Sequence, residues 1–148
     1  MATIEFSHVA LNCRDVDATE RYYSRHFGFR RVRMVPLGEA RLVYLRSGNV
    51  LLELFQAEGE APGEGHVGDG PLHPGVRHIA FQTDDVDAVL AAMGPDAEVT
   101  LGPLDFGDSI PGWRTTWVRD PDGVIVEISQ GYVDQADGPG PGAQANDE

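Results

Sequence analysis

Apolar and polar positions alternate with period two in several short runs along the chain, and these runs read as strands. The first is His8-Val9-Ala10-Leu11-Asn12-Cys13, and a similar one is His78-Ile79-Ala80-Phe81-Gln82. Each is followed by Asp-Val-Asp-Ala, at residues 15–18 and again at 85–88, where an Asp N-cap opens a helix-period segment. The predicted helices run from about Asp17 to Phe27 and from about Asp85 to Met93. The His, the Ala two residues on and the Asp-Val-Asp-Ala block recur at one constant offset, so the chain reads as an internal repeat.

A second piece of pattern closes each half. Arg41-Leu42-Val43-Tyr44-Leu45-Arg46 is joined through Ser47-Gly48-Asn49 to Val50-Leu51-Leu52-Glu53-Leu54-Phe55. Its counterpart is Arg114-Thr115-Thr116-Trp117-Val118-Arg119, the turn Asp120-Pro121-Asp122-Gly123, and Val124-Ile125-Val126-Glu127-Ile128-Ser129. Both read as β-hairpins, with β-branched and apolar runs on either side of a Gly-containing turn. A further strand is expected before each hairpin, near Phe29 to Val35 and near Ala97 to Leu104. The expected fold is therefore α+β: two β-α-β-β-β modules, over residues 4–56 and 76–133, forming a cupped eight-stranded mixed sheet around a metal site. Residues 57–75 are rich in Gly, Pro and Glu and read as the linker. Residues 134–148 lack periodicity, carry a Gly-Pro-Gly-Pro-Gly run and are expected to be disordered.

Side-chain parity supplies the chemistry. His8 shares a strand face with Ala10 and Asn12, and His78 with Ala80 and Gln82. Glu53 and Glu127 lie mid-strand among apolar neighbours, where a lone carboxylate is costly without a partner. Any one of the four is more often a structural histidine or a surface charge than a ligand. Their joint recurrence in both repeats points instead to one His and one Glu from each half. That His₂Glu₂ set suits a single divalent ion such as Zn, Ni, Co, Fe or Mn. Asp15, Asp17, Asp85 and Asp87 read as helix caps, and Asp120 to Gly123 as a turn. His66 and His73 have no repeat partner and are expected to be solvated. Phe55 shares a face with Glu53 and is expected to line the cavity.

Composition narrows the reading. The chain of 148 residues carries a formal net charge of −13, which argues against nucleic acid as a partner. All 11 basic residues are Arg, so lysine Schiff-base chemistry is excluded and recognition of an anion falls to guanidinium groups. Cys13 is the single cysteine and can form no internal disulfide. No apolar run is long enough for a bilayer span, and the first residues lack the pattern of a secretory signal, so a cytoplasmic location without membrane contact is expected.

These motifs resemble the vicinal oxygen chelate superfamily, the glyoxalase/bleomycin-resistance/dioxygenase fold, over about residues 4 to 133. The resemblance rests on Phe6-Ser7-His8-Val9-Ala10-Leu11, Arg21-Tyr22-Tyr23, His26-Phe27-Gly28-Phe29 and Leu52-Glu53-Leu54. It continues through His78-Ile79-Ala80-Phe81 and through Arg119 to Gly123 before Val126-Glu127-Ile128. It implies His8, Glu53, His78 and Glu127 as ligands of a divalent metal, a substrate held through neighbouring oxygens, and usually a homodimer. Open sheet edges independently favour a homodimer. Among the superfamily's classes, an isomerase or epimerase that moves a proton α to a carbonyl agrees best with two opposed carboxylates. Glu127 is then the principal acid/base and Glu53 its counterpart. Glyoxalase I, methylmalonyl-CoA epimerase and cyclitol epimerases of the 2-epi-5-epi-valiolone type are similar. The alternatives are an extradiol-type dioxygenase, disfavoured by Glu53, and a non-enzymatic antibiotic-binding protein, disfavoured by the full ligand set.

Overall fold

The computed structural model describes residues 2–61 and 63–136. The expected tail lies, from residue 137 onward, outside the described residues. The element order is β-α-β-β-β twice. The first set is β1 (Val9–Cys13), α1 (Val16–Phe27), β2 (Arg30–Leu37), β3 (Ala40–Ser47) and β4 (Val50–Gln56). The second is β5 (Ile79–Gln82), α2 (Val86–Met93), a 3-10 turn over Gly94–Asp96, β6 (Val99–Asp105), β7 (Arg114–Arg119) and β8 (Ile125–Gln130). The expected eight strands divide between two four-stranded mixed sheets, ordered β1-β4-β3-β2 and β5-β8-β7-β6. In each, the first strand runs parallel to the last and the other pairings are antiparallel.

Local chemistry sets the helix ends. The Asp15 carboxylate accepts from the backbone N–H of Asp17 at 2.9 Å, and that of Asp85 from Ala88 at 2.9 Å. Both satisfy donors that the first helical turn leaves open. Gly28 ends α1 at φ 70, a left-handed conformation that a side chain disfavours. Asp17 and Asp87 do not cap. They form ion pairs with Arg41 and Arg114 of the hairpins, at repeat-equivalent positions.

One core joins the two halves. Val43, Leu45, Leu52 and Leu54 of the first sheet and Val118, Val126 and Ile128 of the second belong to the same buried cluster as Tyr22, Tyr23, Val86 and Met93 of the helices. Phe27 stacks on Phe81 with centroids 4.5 Å apart, a geometry worth about 1 kcal/mol beyond its buried area. Polar contacts reinforce the junction. Tyr23 Oη donates to Asp120 Oδ2 at 2.7 Å, Thr19 donates to Asp122, and the Arg14 backbone N–H donates to Asp122 Oδ1 at 2.7 Å. The β7–β8 turn read from sequence is thus also the clasp between the halves. Burial pushes the Asp120 carboxyl above its ordinary range, although Tyr23 and the Val124 and Asp122 amides oppose the shift by donating to it.

Strand alternation then decides where the chemistry lies. The helices cover the face of each sheet that carries the core valines and leucines. Glu53, Tyr44 and His8, and likewise Glu127, Trp117 and His78, stand on the opposite faces, turned away from the shared core.

Candidate metal centre

His8 immediately precedes β1, and Glu53 sits mid-strand in the neighbouring, parallel β4. That register sets His8 Nε2 2.5 Å from Glu53 Oε2. The same construction in the second half puts His78 Nε2 2.7 Å from Glu127 Oε2. Both carboxylates are largely covered, with side-chain exposures of 11% for Glu53 and 15% for Glu127. The structure therefore brings the four sequence-predicted residues together as two pairs, one on each sheet. Among the described residues no third His, Cys, Asp or Glu joins either pair. A single chain does not gather all four, because the core lies between the sheets and their pair-bearing faces point apart.

The geometry of the second pair calls for a proton or a cation. His78 Nδ1 lies 2.8 Å from the backbone carbonyl of Asp69, which can only accept, so Nδ1 carries the proton. In the neutral ring Nε2 is then a bare lone pair facing a carboxylate oxygen. Two acceptors at that separation repel unless a proton lies between them or a cation beside them draws on both. A histidine whose second nitrogen donates to a carbonyl is the usual arrangement behind a metal ligand. His8 is oriented similarly, its Nδ1 2.8 Å from Ser7 Oγ. The Glu127 Oε1 atom accepts from Thr115 Oγ1 at 2.8 Å, which turns Oε2 toward His78. The donor set, two imidazole nitrogens and two carboxylates, suits a borderline divalent ion.

Partners across the strands complete the surroundings. Tyr44 pairs with Glu53 and Trp117 with Glu127. Burial raises the Tyr44 phenol above its ordinary pKa, and its hydrogen bond to Glu53 and the charge of that carboxylate raise it further. The Trp117 side chain is buried, and its indole N–H has no partner among the described residues. It stands edge-on to His78 at 6.4 Å between centroids, an unfilled donor on the site-bearing face. The Trp113 and Phe106 rings pack at a tilt with centroids 5.0 Å apart, and Trp113 donates to Ser129 Oγ at 3.2 Å. Phe55 shares its face with Glu53, as expected, but borders a cavity with Asn12, Arg14 and Gln56 at the end of the strand.

Two features had no clear signal in the sequence. The Asp69 carbonyl is backbone, and only the tight turn at Gly70 hints at it. His66, expected in solvent, is half-buried, with its Nδ1 shut away from water and its ring 6.2 Å from that of His73. The linker is drawn onto the second sheet by Arg119, which donates to the His66 carbonyl, and by Thr100, which donates to the Gly68 carbonyl.

Comparisons with known proteins agree with this architecture. A putative lactoylglutathione lyase from Brassica oleracea var. gemmifera is 29% identical over 134 residues, covering 84% of this chain and 44% of the relative. The chain thus spans less than half the length of that plant protein. A glyoxalase family protein from Enterococcus faecalis superposes with a TM-score of 0.65 at 29% identity, over 84% of this chain and 96% of the other. The fosfomycin resistance protein FosX from Listeria monocytogenes, solved with Mn(II) and a sulfate ion, shares the fold with a TM-score of 0.66 at 16% identity, over 89% of this chain and 96% of that one. The family model of the Glyoxalase/Bleomycin resistance protein/Dioxygenase superfamily matches residues 5–128, and the chain belongs to that superfamily.

Proposed function

We propose that this protein is a metal-dependent isomerase or epimerase that moves a proton α to a carbonyl of a small oxygenated substrate. The observation that carries the reading is the duplicated His–Glu pair. Each imidazole Nε2 meets a carboxylate at hydrogen-bonding distance, so that a ring nitrogen and a carboxylate oxygen converge on one point, and each pair lies on an outward face. In this reading His8 and Glu53 of one chain and His78 and Glu127 of a second copy hold one divalent ion. Bound there, the ion would act as a Lewis acid on the substrate's neighbouring oxygens and favour the enediolate.

The same geometry supports a homodimer. The strands β1 and β5 are free edges, and uncovered edges invite pairing. Beside them Ile4, Phe6 and Val76 are 98%, 85% and 75% exposed, an apolar surface that a second copy would cover. Two such edges per chain allow a closed two-fold assembly with two equivalent centres.

The chain's own residues divide the labour. Glu127 removes and returns the α-proton, with Thr115 holding its Oε1 and so fixing its orientation. Glu53 faces from the other half and serves the opposite side of the substrate. Tyr44 donates toward Glu53 and steadies it. Trp117, buried and edge-on to the His78 ring, steadies that imidazole. The aromatic surface of Trp113 and Phe106 favours a second reading, the sequestration of a flat antibiotic. Metal content separates the two, since sequestration needs none.

The test is solvent deuterium exchange into candidate ketones and acyl-CoA thioesters by metal-replete protein. Glu127→Gln keeps a ligand oxygen and loses the base, so exchange is expected to fall about 10²-fold or more while metal content falls much less. Undiminished exchange in Glu127→Gln would remove it from this role.

A further inference from the structure

Seven of the 11 arginines are ion-paired: Arg14, Arg25, Arg31, Arg41, Arg77, Arg114 and Arg119 each meet a carboxylate. That is the expected state of a basic residue in a chain of net charge −13. Four meet none among the described residues, Arg21 on α1 and Arg30, Arg33 and Arg46, and the last three are not scattered. Arg30 lies opposite Arg46 across β2 and β3, and Arg33 lies opposite Tyr44. Cross-strand partners share a face, so all three stand on the face of the first sheet that carries Tyr44 and Glu53.

A β-bulge makes this clustering possible. In a regular strand Arg30 and Arg33 would point to opposite sides. The register slips between Arg31 and Arg33, and Val32 is the extra residue. The slip returns Arg33 to the side of Arg30, while Arg31 turns to the helix side and pairs with Glu20. Bulges re-aim side chains in this way. Arg33, Tyr44 and Arg46 then border one open cavity of about 360 Å³ together with Leu51 and Val35. At its inner end the Tyr44 phenol reaches Glu53 and stands edge-on to the His8 ring at 6.3 Å.

Three cations gathered on one face, in a protein with 24 acidic residues available to neutralise them, repel each other and are stabilised by an anion. Guanidinium groups match carboxylate and phosphate oxygens with paired, charge-assisted hydrogen bonds. We propose that Arg33 and Arg46, with Arg30 at the rim, form the subsite for an anionic group of the substrate. The substrate is then a small carboxylate, phosphate or phosphonate ester or acid whose reacting oxygens lie at His8 and Glu53 and whose charged end extends over Tyr44. This rests on the reading of that face as the substrate face, but not on the reaction assigned to it.

The test is calorimetric titration of the metal-free full-length protein with inorganic phosphate and, separately, with acetate, before any turnover is measured. The expected result is saturable binding of at least one of them, weakened about tenfold or more by Arg46→Gln and abolished by Arg33→Gln with Arg46→Gln. Arg21→Gln, which alters an arginine of α1 away from this face, leaves binding unchanged. Glu127→Gln keeps phosphate or acetate binding even where exchange is lost, so a failure of the reaction assignment stays separate from a failure of the subsite. Three results would overturn the proposal: no binding of either anion to the unaltered protein, undiminished binding in the double variant, or a double variant that turns monomeric by light scattering. The last would mean that the arginines meet a partner copy's carboxylates instead.

Discussion

The backbone carbonyl of Asp69 and the ring of His78 are locked at 2.8 Å, an acceptor that dictates which imidazole nitrogen carries the proton. The carbonyl is held in place by Gly70, at φ 87, where an added Cβ would meet the Arg77 carbonyl oxygen at 2.1 Å. Gly70→Ala must therefore move this segment away from His78. We expect metal affinity to fall about 10- to 100-fold, the usual cost of disturbing a ligand's hydrogen-bond partner. Competition with a chromophoric chelator reads this directly. Unchanged affinity would detach Asp69 from the site.

The clasp between the halves is a stability feature. Tyr23 Oη is the one side-chain donor to the buried Asp120 carboxylate among the described residues. Tyr23→Phe removes a hydrogen bond to a charged group and should cost about 1.5–3 kcal/mol, measured as a lower urea midpoint with unchanged slope. A loss under 0.5 kcal/mol, below that range, would show that the Val124 and Asp122 amides suffice.

Asp120 also gives a pH dependence with a definite sign. Its folded pKa lies above the ordinary 3.8, chiefly through burial. Between those two values the folded state binds more protons than the unfolded one. Its contribution to stability therefore declines as pH rises from 3.8 through the folded pKa and is constant above it. Asp120→Asn removes the decline. The difference in urea midpoint between variant and wild type should shift in the variant's favour across that window, and a difference flat with pH would contradict the assignment.

Cys13 is fully buried, and burial pushes its thiol up to about 12. The native protein should resist alkylation by iodoacetamide at neutral pH and take up one label after unfolding. Rapid labelling of the native state would mean that the β1 end opens readily.

Much of this was readable in the sequence because the repeat writes the same pattern twice. His8 and His78 mark the entry to β1 and β5, Asp15 and Asp85 cap the helices, and Glu53 and Glu127 break otherwise apolar strands. What periodicity could not give was the side on which the halves meet. Strand alternation says that Glu53 and Leu52 face opposite ways, but not that the faces of Leu52 and Val126 are buried in one shared core. That tertiary choice separates the two His–Glu pairs within one chain. Nor does a sequence reveal a carbonyl at the right distance, as for Asp69, or a bulge such as Val32, which reverses the face of a neighbouring arginine without any turn residue to announce it.

If one centre takes a His–Glu pair from each of two chains, mixing two metal-free variants restores it. His8→Ala with Glu53→Ala destroys the first pair, and His78→Ala with Glu127→Ala destroys the second. Each double variant alone, as a dimer, should bind almost no metal. Unfolded together and refolded, half of the dimers are mixed, and each mixed dimer carries one intact centre. The recovered metal should approach roughly one ion per four chains, measured by elemental analysis after gel filtration. If both variants are dimeric and their mixture binds no more metal than either alone, the shared centre does not exist.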